Sequence, residues 1–319
     1  MNEFVNECIV GCKKFNGNFV IAKNRDRTYE PATKIVHHTD KKNELVFLFD
    51  KTTHYVEGMN VKTGVCILNV AIENGVDFGD NVSSEGRHIF EALSKSKDAK
   101  EAIDILTKEN QEVYGNTMVS DGKSSYMLEF AEGSSPVAKD VSNKSVPTVR
   151  TNHTVYIPNE GYSLLSTPDM DYISSQTRKA VAEVMFTNSD NVEDLLDSLN
   201  YKLFGPHSAY DTNRDTSGYK TVSQIAIDPA AKKFYYRPIP GREEFGGVVR
   251  TGDTSIEPEA KVVVLEYAEP IEIPFGSWSA GMHDQMEESL KLHKLLDPDD
   301  DYSDSRGLSG TEQARMESE

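Results

Sequence analysis

The stretch Cys8-Ile9-Val10-Gly11-Cys12-Lys13-Lys14-Phe15-Asn16-Gly17-Asn18-Phe19-Val20-Ile21-Ala22-Lys23-Asn24-Arg25-Asp26 reads as two β-prone runs joined across a turn. Asn-Gly is the strongest short hairpin signal, because both central residues of a type I′ turn take positive φ. With Asn16-Gly17 at the tip, Phe15 pairs with Asn18, Cys12 with Ile21 and Cys8 with Arg25. Cys8 then lies beside Lys23 to Asp26, whereas Cys12 sits nearer the tip, roughly 13 Å away at about 3.3 Å per residue. Cys8 is the cysteine closest to Asp26.

Beyond the hairpin, strand-like runs follow at Lys34 to His38, Glu44 to Phe49, His54 to Glu57 and Gly64 to Val70. Two helices are predicted over Ser84 to Lys95 and Asp98 to Glu109, the second opened by Asp98 with Glu101 three residues on. Strands resume at Asn116 to Ser120, Ser125 to Ala131 and Thr148 to Thr151. A second helical pair covers Asp171 to Phe186 and Val192 to Leu199, where Val192, Leu195, Leu196 and Leu199 share one face. Further strands fall at Thr221 to Ile227, Lys233 to Arg237 and Lys261 to Glu266. Runs of strands broken by helix pairs argue an α+β class with helices layered outside packed sheets.

The 319 residues can bury a full core, and no Gly/Ser or Pro linker divides the first 280. The expected organisation is a short leader over residues 1–7, one domain over 8–280, and a polar helix with an acidic, disordered tail over 281–319. A net charge of −18 without a basic cluster argues against nucleic acid or an anionic membrane as partner. Three cysteines at 8, 12 and 66 make neither a disulfide framework nor a metal-ligand spacing. With no signal-like or membrane-spanning apolar run, a soluble cytoplasmic protein is expected. Oligomeric state stays open, a homo-oligomer included.

A cysteine with a free α-amine needs little else for amide cleavage. The amine, with a reference pKa of about 7.7 to 8.0, can take the thiol proton near neutral pH. Asp26 would stabilise the ammonium, and neutral Asn side chains suit the oxyanion of the tetrahedral intermediate.

Cys8, the Lys23-Asn24-Arg25-Asp26 run, Thr151-Asn152-His153 and Ser174-Ser175-x-x-Arg178 together resemble the N-terminal-nucleophile amide hydrolases of the isopenicillin N acyltransferase and carcinine hydrolase type. These are relatives of choloylglycine hydrolase and penicillin V acylase. Gly58-Met59-Asn60 with Gly64 and Asn69, Asp121-Gly122 with Glu129, and Thr221 to Asp228 echo the group in order. The resemblance implies an αββα four-layer sandwich, self-removal of a short propeptide, and cofactor-free hydrolysis or transfer of the acyl group of a small linear amide. On matching positions it makes Cys8 the nucleophile, Asp26 the partner of its amine, Asn152 the principal catalytic amide and Asn69 a second donor. Arg214 falls near the place of a late family arginine, and Lys23 stands where the family commonly has Arg. That exchange loses the planar fork of a guanidinium. Ile9 likewise replaces a common Ser or Thr, and activity requires cleavage of Glu7-Cys8.

Cys8-Ile9 and Asn24-Arg25-Asp26 also resemble the start of the NRDE-motif family, with Arg27 in place of its Glu. The alternatives to an amidase are an acyltransferase using the same site and an uncut, non-catalytic binding protein. Cys12 and Cys66 read as core thiols, and Ser174, Ser175 and Arg178 as a helix start with local hydrogen bonds. His153 reads as a satisfied buried histidine, and adjacent His37 and His38 face opposite ways on a strand. Asp297 to Asp301 lacks the glycine and terminal glutamate of a calcium loop.

Overall fold

The computed structural model describes residues 8–72, 82–108, 113–131, 134–157, 170–202, 213–214 and 218–272. The hairpin forms as its turn requires. Strands β1 (Cys8–Phe15) and β2 (Asn18–Arg27) pair with Cys8 opposite Arg25, Cys12 opposite Ile21 and Phe15 opposite Asn18. Asn16 and Gly17 take φ of 50° and 85°, the left-handed region that these two residues tolerate best.

Around the hairpin a six-stranded sheet adds β10 (Thr148–Arg150), β12 (Lys220–Asp228), β13 (Lys233–Pro238) and β15 (Lys261–Val264). Its order is β10-β1-β2-β12-β13-β15, so the hairpin is flanked on both sides. The second large sheet contains β3 (Ala32–Thr39), β4 (Glu44–Asp50), β5 (Tyr55–Asn60), β6 (Cys66–Val70), β7 (Gly115–Ser120), β8 (Ser125–Phe130), β9 (Val137–Asp140) and β14 (Glu244–Gly252). They run in the order β14-β3-β4-β5-β6-β7-β8-β9. A separate parallel pair joins β11 (Tyr201–Lys202) to β16 (Ile271–Glu272).

Strand alternation sorts the hairpin side chains. Cys8, Val10, Cys12, Phe19 and Ile21 meet Ile35, Leu48, Met59, Leu68, Met118 and Met127 of the larger sheet in one core. Ile9, Val20 and Ala22 point the other way, against Ala182 and Phe186 of helix α3 (Met170–Asn188) and Leu195 and Leu199 at α4 (Val192–Ser198). Gly11 permits this approach, since a Cβ there would lie 2.6 Å from the Phe186 ring. Helices α1 (Val82–Lys95) and α2 (Ala99–Leu106) pack on the larger sheet. Asp98 caps α2 by accepting from the Glu101 amide at 2.8 Å, as its sequence predicts.

The expected α+β class with an αββα four-layer sandwich is corrected. The described chain is mostly β, 43% strand against 19% helix, and is dominated by two large mixed sheets. Strands that escape the sequence pattern account for part of the difference, chiefly β9 and β14. Parallel pairing of β14 with β3 and of β13 with β15 makes the sheets mixed. The edge strands β9, β14 and β15 are half-exposed or exposed along their length, so the helices do not extend over the sheets as full layers. No helix among the described residues is long and apolar enough to cross a membrane. The expected leader over residues 1–7 and the acidic segment from 281 lie outside the described residues.

Candidate functional site

Cys8 opens β1 and is buried. Its three polar atoms each meet a side chain from elsewhere. The backbone N–H donates to Asn152 Oδ1 at 3.2 Å, the carbonyl accepts from Arg178 Nη1 at 3.1 Å, and Sγ accepts from Arg27 Nη1 at 3.2 Å. The Asp26 carbonyl oxygen lies 4.0 Å from the sulfur. Arg178 also donates from Nη2 to Asn152 Oδ1 at 3.0 Å, tying the two holders of Cys8 together. Asn152 is fixed in turn, its N–H on Ser175 Oγ at 2.9 Å and its Nδ2 on the Ala71 carbonyl at 2.9 Å.

Register explains which side chains reach the sulfur. Cys8 lies opposite Arg25, so Lys23, Arg25 and Arg27 share its face and point between the sheets. Asn24 and Asp26 alternate to the other face, where Asn24 Nδ2 donates to the Leu199 carbonyl at 2.8 Å. Asp26 Oδ1 accepts from Thr221 Oγ1 at 2.7 Å, across the register shift between Thr221 and Ser223. Its Oδ2 is buried and has no hydrogen-bond partner among the described residues. Burial pushes the Asp26 carboxyl up to about 6, against the pull of Arg178 and the Thr221 hydrogen bond.

Lys23 reaches across to the larger sheet, 2.7 Å from Glu57 Oε2, and donates to the Asn69 carbonyl. Burial pushes its ammonium down, with Glu57 opposing. Arg25 sits in a carboxylate cage, 3.2 Å from Glu57, 3.3 Å from Asp50 and 3.8 Å from Glu243. Asn69 Nδ2 donates to Thr117 Oγ1 at 2.8 Å and to the Tyr114 carbonyl at 3.0 Å, which commits both its hydrogens. Arg214 joins the site through its backbone, its N–H on Thr221 Oγ1 at 2.8 Å, while its guanidinium lies over the Tyr219 ring. Burial lowers that guanidinium to about 10.

Asn152 therefore meets Cys8 directly and Asp26 approaches it through its backbone carbonyl while its carboxylate turns to Thr221, Lys23 and Asn69 form a linked pair on the inner face, and Arg214 holds Thr221 from its backbone. Neither any protein-family model nor any curated protein sequence matches the chain.

Arg27, Arg178 and Ser175 are the site residues that motif spacing passes over or reads as structural. Alternation from the Cys8–Arg25 pair was the available signal for Arg27. Ser175 and Arg178 sit on α3, and nothing local to a helix start tells that it will lie on a strand 170 residues away. His153 is buried with Nδ1 3.0 Å from Ser175 Oγ. His37 contacts Glu44 and His38 contacts Thr251, on opposite faces of β3. Among the described residues no group of three or more His, Cys, Asp or Glu side chains is placed to hold a metal.

Proposed function

We propose that the chain is a cysteine amidohydrolase of small linear amides, in which Cys8 acts as nucleophile and base once the Glu7-Cys8 bond is cut. The observation that carries this reading is the separate holding of the Cys8 nitrogen, oxygen and sulfur by Asn152, Arg178 and Arg27. A cysteine that merely fills a core needs no such set. Cys12 and Cys66 lie in the same apolar cluster with no charged group on their sulfurs among the hydrogen bonds described. The resemblance of Cys8, Asp26 and Asn152 to the isopenicillin N acyltransferase type supports the same assignment.

In the proposed cycle the freed α-amine takes the thiol proton and Asp26 balances the resulting ammonium. The Cys8 nitrogen already faces Asn152 Oδ1, and Asp26 Oδ2, buried without a hydrogen-bond partner among the described residues, supplies the negative charge. Sulfur then bonds to the amide carbon, and the oxyanion is held by Asn152 and by Asn69, which must give up Thr117 to do so. Collapse breaks the C–N bond and the departing amine takes the proton from the ammonium. Water, deprotonated by the amine, hydrolyses the thioester, releases the acid and restores the thiol. The test is mass spectrometry of the purified chain beside Cys8→Ala, with hydrolysis of a panel of N-acyl amides. Loss of residues 1–7 in the unaltered chain alone, with activity confined to it, is expected. Activity in Cys8→Ala, or in a chain that keeps Met1 to Glu7, overturns the proposal.

A further inference from the structure

We infer that Arg27 is a catalytic residue, its guanidinium carrying the negative charge that Cys8 Sγ bears during attack and departure; this rests on the reading of Cys8 as nucleophile. Arg27 Nη1 donates to Sγ at 3.2 Å and to the Asp26 carbonyl at 2.8 Å. Arg27 is buried, and no carboxylate among the described residues lies within ion-pair distance of it. Its neighbours on the same face differ. Lys23 is matched by Glu57, and Arg25 by Asp50, Glu57 and Glu243.

A guanidinium cannot shed its charge in a protein, and a buried charge is costly unless paired. Asp50 and Glu57 act on its guanidinium only from beyond ion-pair distance, whereas the side-chain atom that Arg27 touches is the sulfur, and a sulfur holding an electron pair puts a counter-charge in direct contact. Low local dielectric strengthens that attraction and keeps water from competing for it. The pair stays on sulfur when the proton passes to the α-amine, forms the S–C bond on attack, and returns to sulfur when water splits the thioester. Lys23, whose ammonium is spent on Glu57 and the Asn69 carbonyl, does not reach Sγ among the contacts described. The cation serving the nucleophile thus sits one residue after Asp26 and not three before it.

The experiment measures the rate at which iodoacetamide labels Cys8 at neutral pH, with peptide mass spectrometry to locate the label. Cys12 and Cys66 in the same digest report any general loosening of the core. Arg27→Met should slow labelling of Cys8 at least about tenfold, because the charged sulfur is the reacting species. Arg27→Glu should slow it further, and Arg27→Lys should retain an intermediate rate. If Arg27→Met loses its near-ultraviolet circular dichroism, Arg27→Lys against Arg27→Gln makes the comparison. Equal rates with and without the positive charge, or an unaltered chain whose Cys8 is not labelled, overturn the inference. Labelling reads the sulfur whether or not Glu7-Cys8 is cut. A chain that keeps Met1 and hydrolyses nothing, yet labels in an Arg27-dependent way, would sink the amidase and leave Arg27 in place.

Discussion

Replacing Asp26 with Asn measures what the fold gives up to keep a carboxylate inside the sheet. The side chain is buried, Oδ1 accepts from Thr221 at 2.7 Å, and Oδ2 has no partner among the described residues. Burial lifts the carboxyl from 3.8 to about 6. At about 1.4 kcal/mol per unit, a displacement of roughly two units corresponds to about 3 kcal/mol. Between the two values the folded chain holds a proton that the unfolded chain releases. Stability therefore falls as pH rises from about 4 to 6, the full penalty persists above 6, and it is absent at lower pH. Asn carries no charge at any pH and keeps an acceptor for Thr221. Asp26→Asn should then gain up to about 3 kcal/mol at pH 7.5 and almost nothing near pH 4. Urea unfolding followed by far-ultraviolet circular dichroism at both pH values measures this, with Asp26→Asn compared with its parent in a Cys8→Ala background so that both chains stay uncut. A difference that is the same at both values, or a destabilised variant at pH 7.5, would refute the reasoning. On the proposed mechanism Asp26→Asn with Cys8 in place also loses amide hydrolysis, since a neutral amide cannot balance an ammonium.

Arg178→Met removes charged donors from the Cys8 carbonyl and Asn152 Oδ1; a loss of about 3 kcal/mol or more is expected in urea unfolding, and a loss below about 1 would show the contacts to be incidental. Gly58→Ala would place a Cβ 2.3 Å from the Val46 carbonyl and 2.5 Å from Phe47. It should cost at least about 3 kcal/mol, the upper end for overpacking, because backbone cannot move aside as a side chain can. Asp98→Ala deletes the cap on the Glu101 amide and should cost about 1 kcal/mol in the same assay, with no change expected in Cys8 labelling.

The hairpin was legible because its information is local. Asn16-Gly17 sets the turn, the turn sets the register, and the register brings Cys8 to Arg25. The Asp98 cap was legible for the same reason. Strand β14 was not, since Glu244–Gly252 is broken by three glycines and finds its partner more than 200 residues back at β3. Missing it understated the share of strand; the four described helices stand where the sequence pattern puts them, and what fails is the four-layer arrangement that family likeness supplied. At the site, spacing pointed to Asp26, but a strand shows alternate residues to opposite faces. The pleat therefore delivers Arg27 to the sulfur and turns the Asp26 side chain toward Thr221. Arg178 belongs to packing between distant segments, which helical periodicity does not encode.

The three holders of Cys8 lie at very different places along the chain. Arg27 is 19 residues away, Asn152 is 144 and Arg178 is 170. At about 5–20 residues per second, roughly ten to thirty seconds of synthesis separate the appearance of Cys8 from that of Arg178. During that interval the cysteine is an ordinary thiol on an incomplete chain. Any chemistry that depends on its full set of partners must wait for α3 to reach the hairpin, and on the proposed mechanism for the cut at Glu7-Cys8 after that, so the nascent chain is held inert twice over.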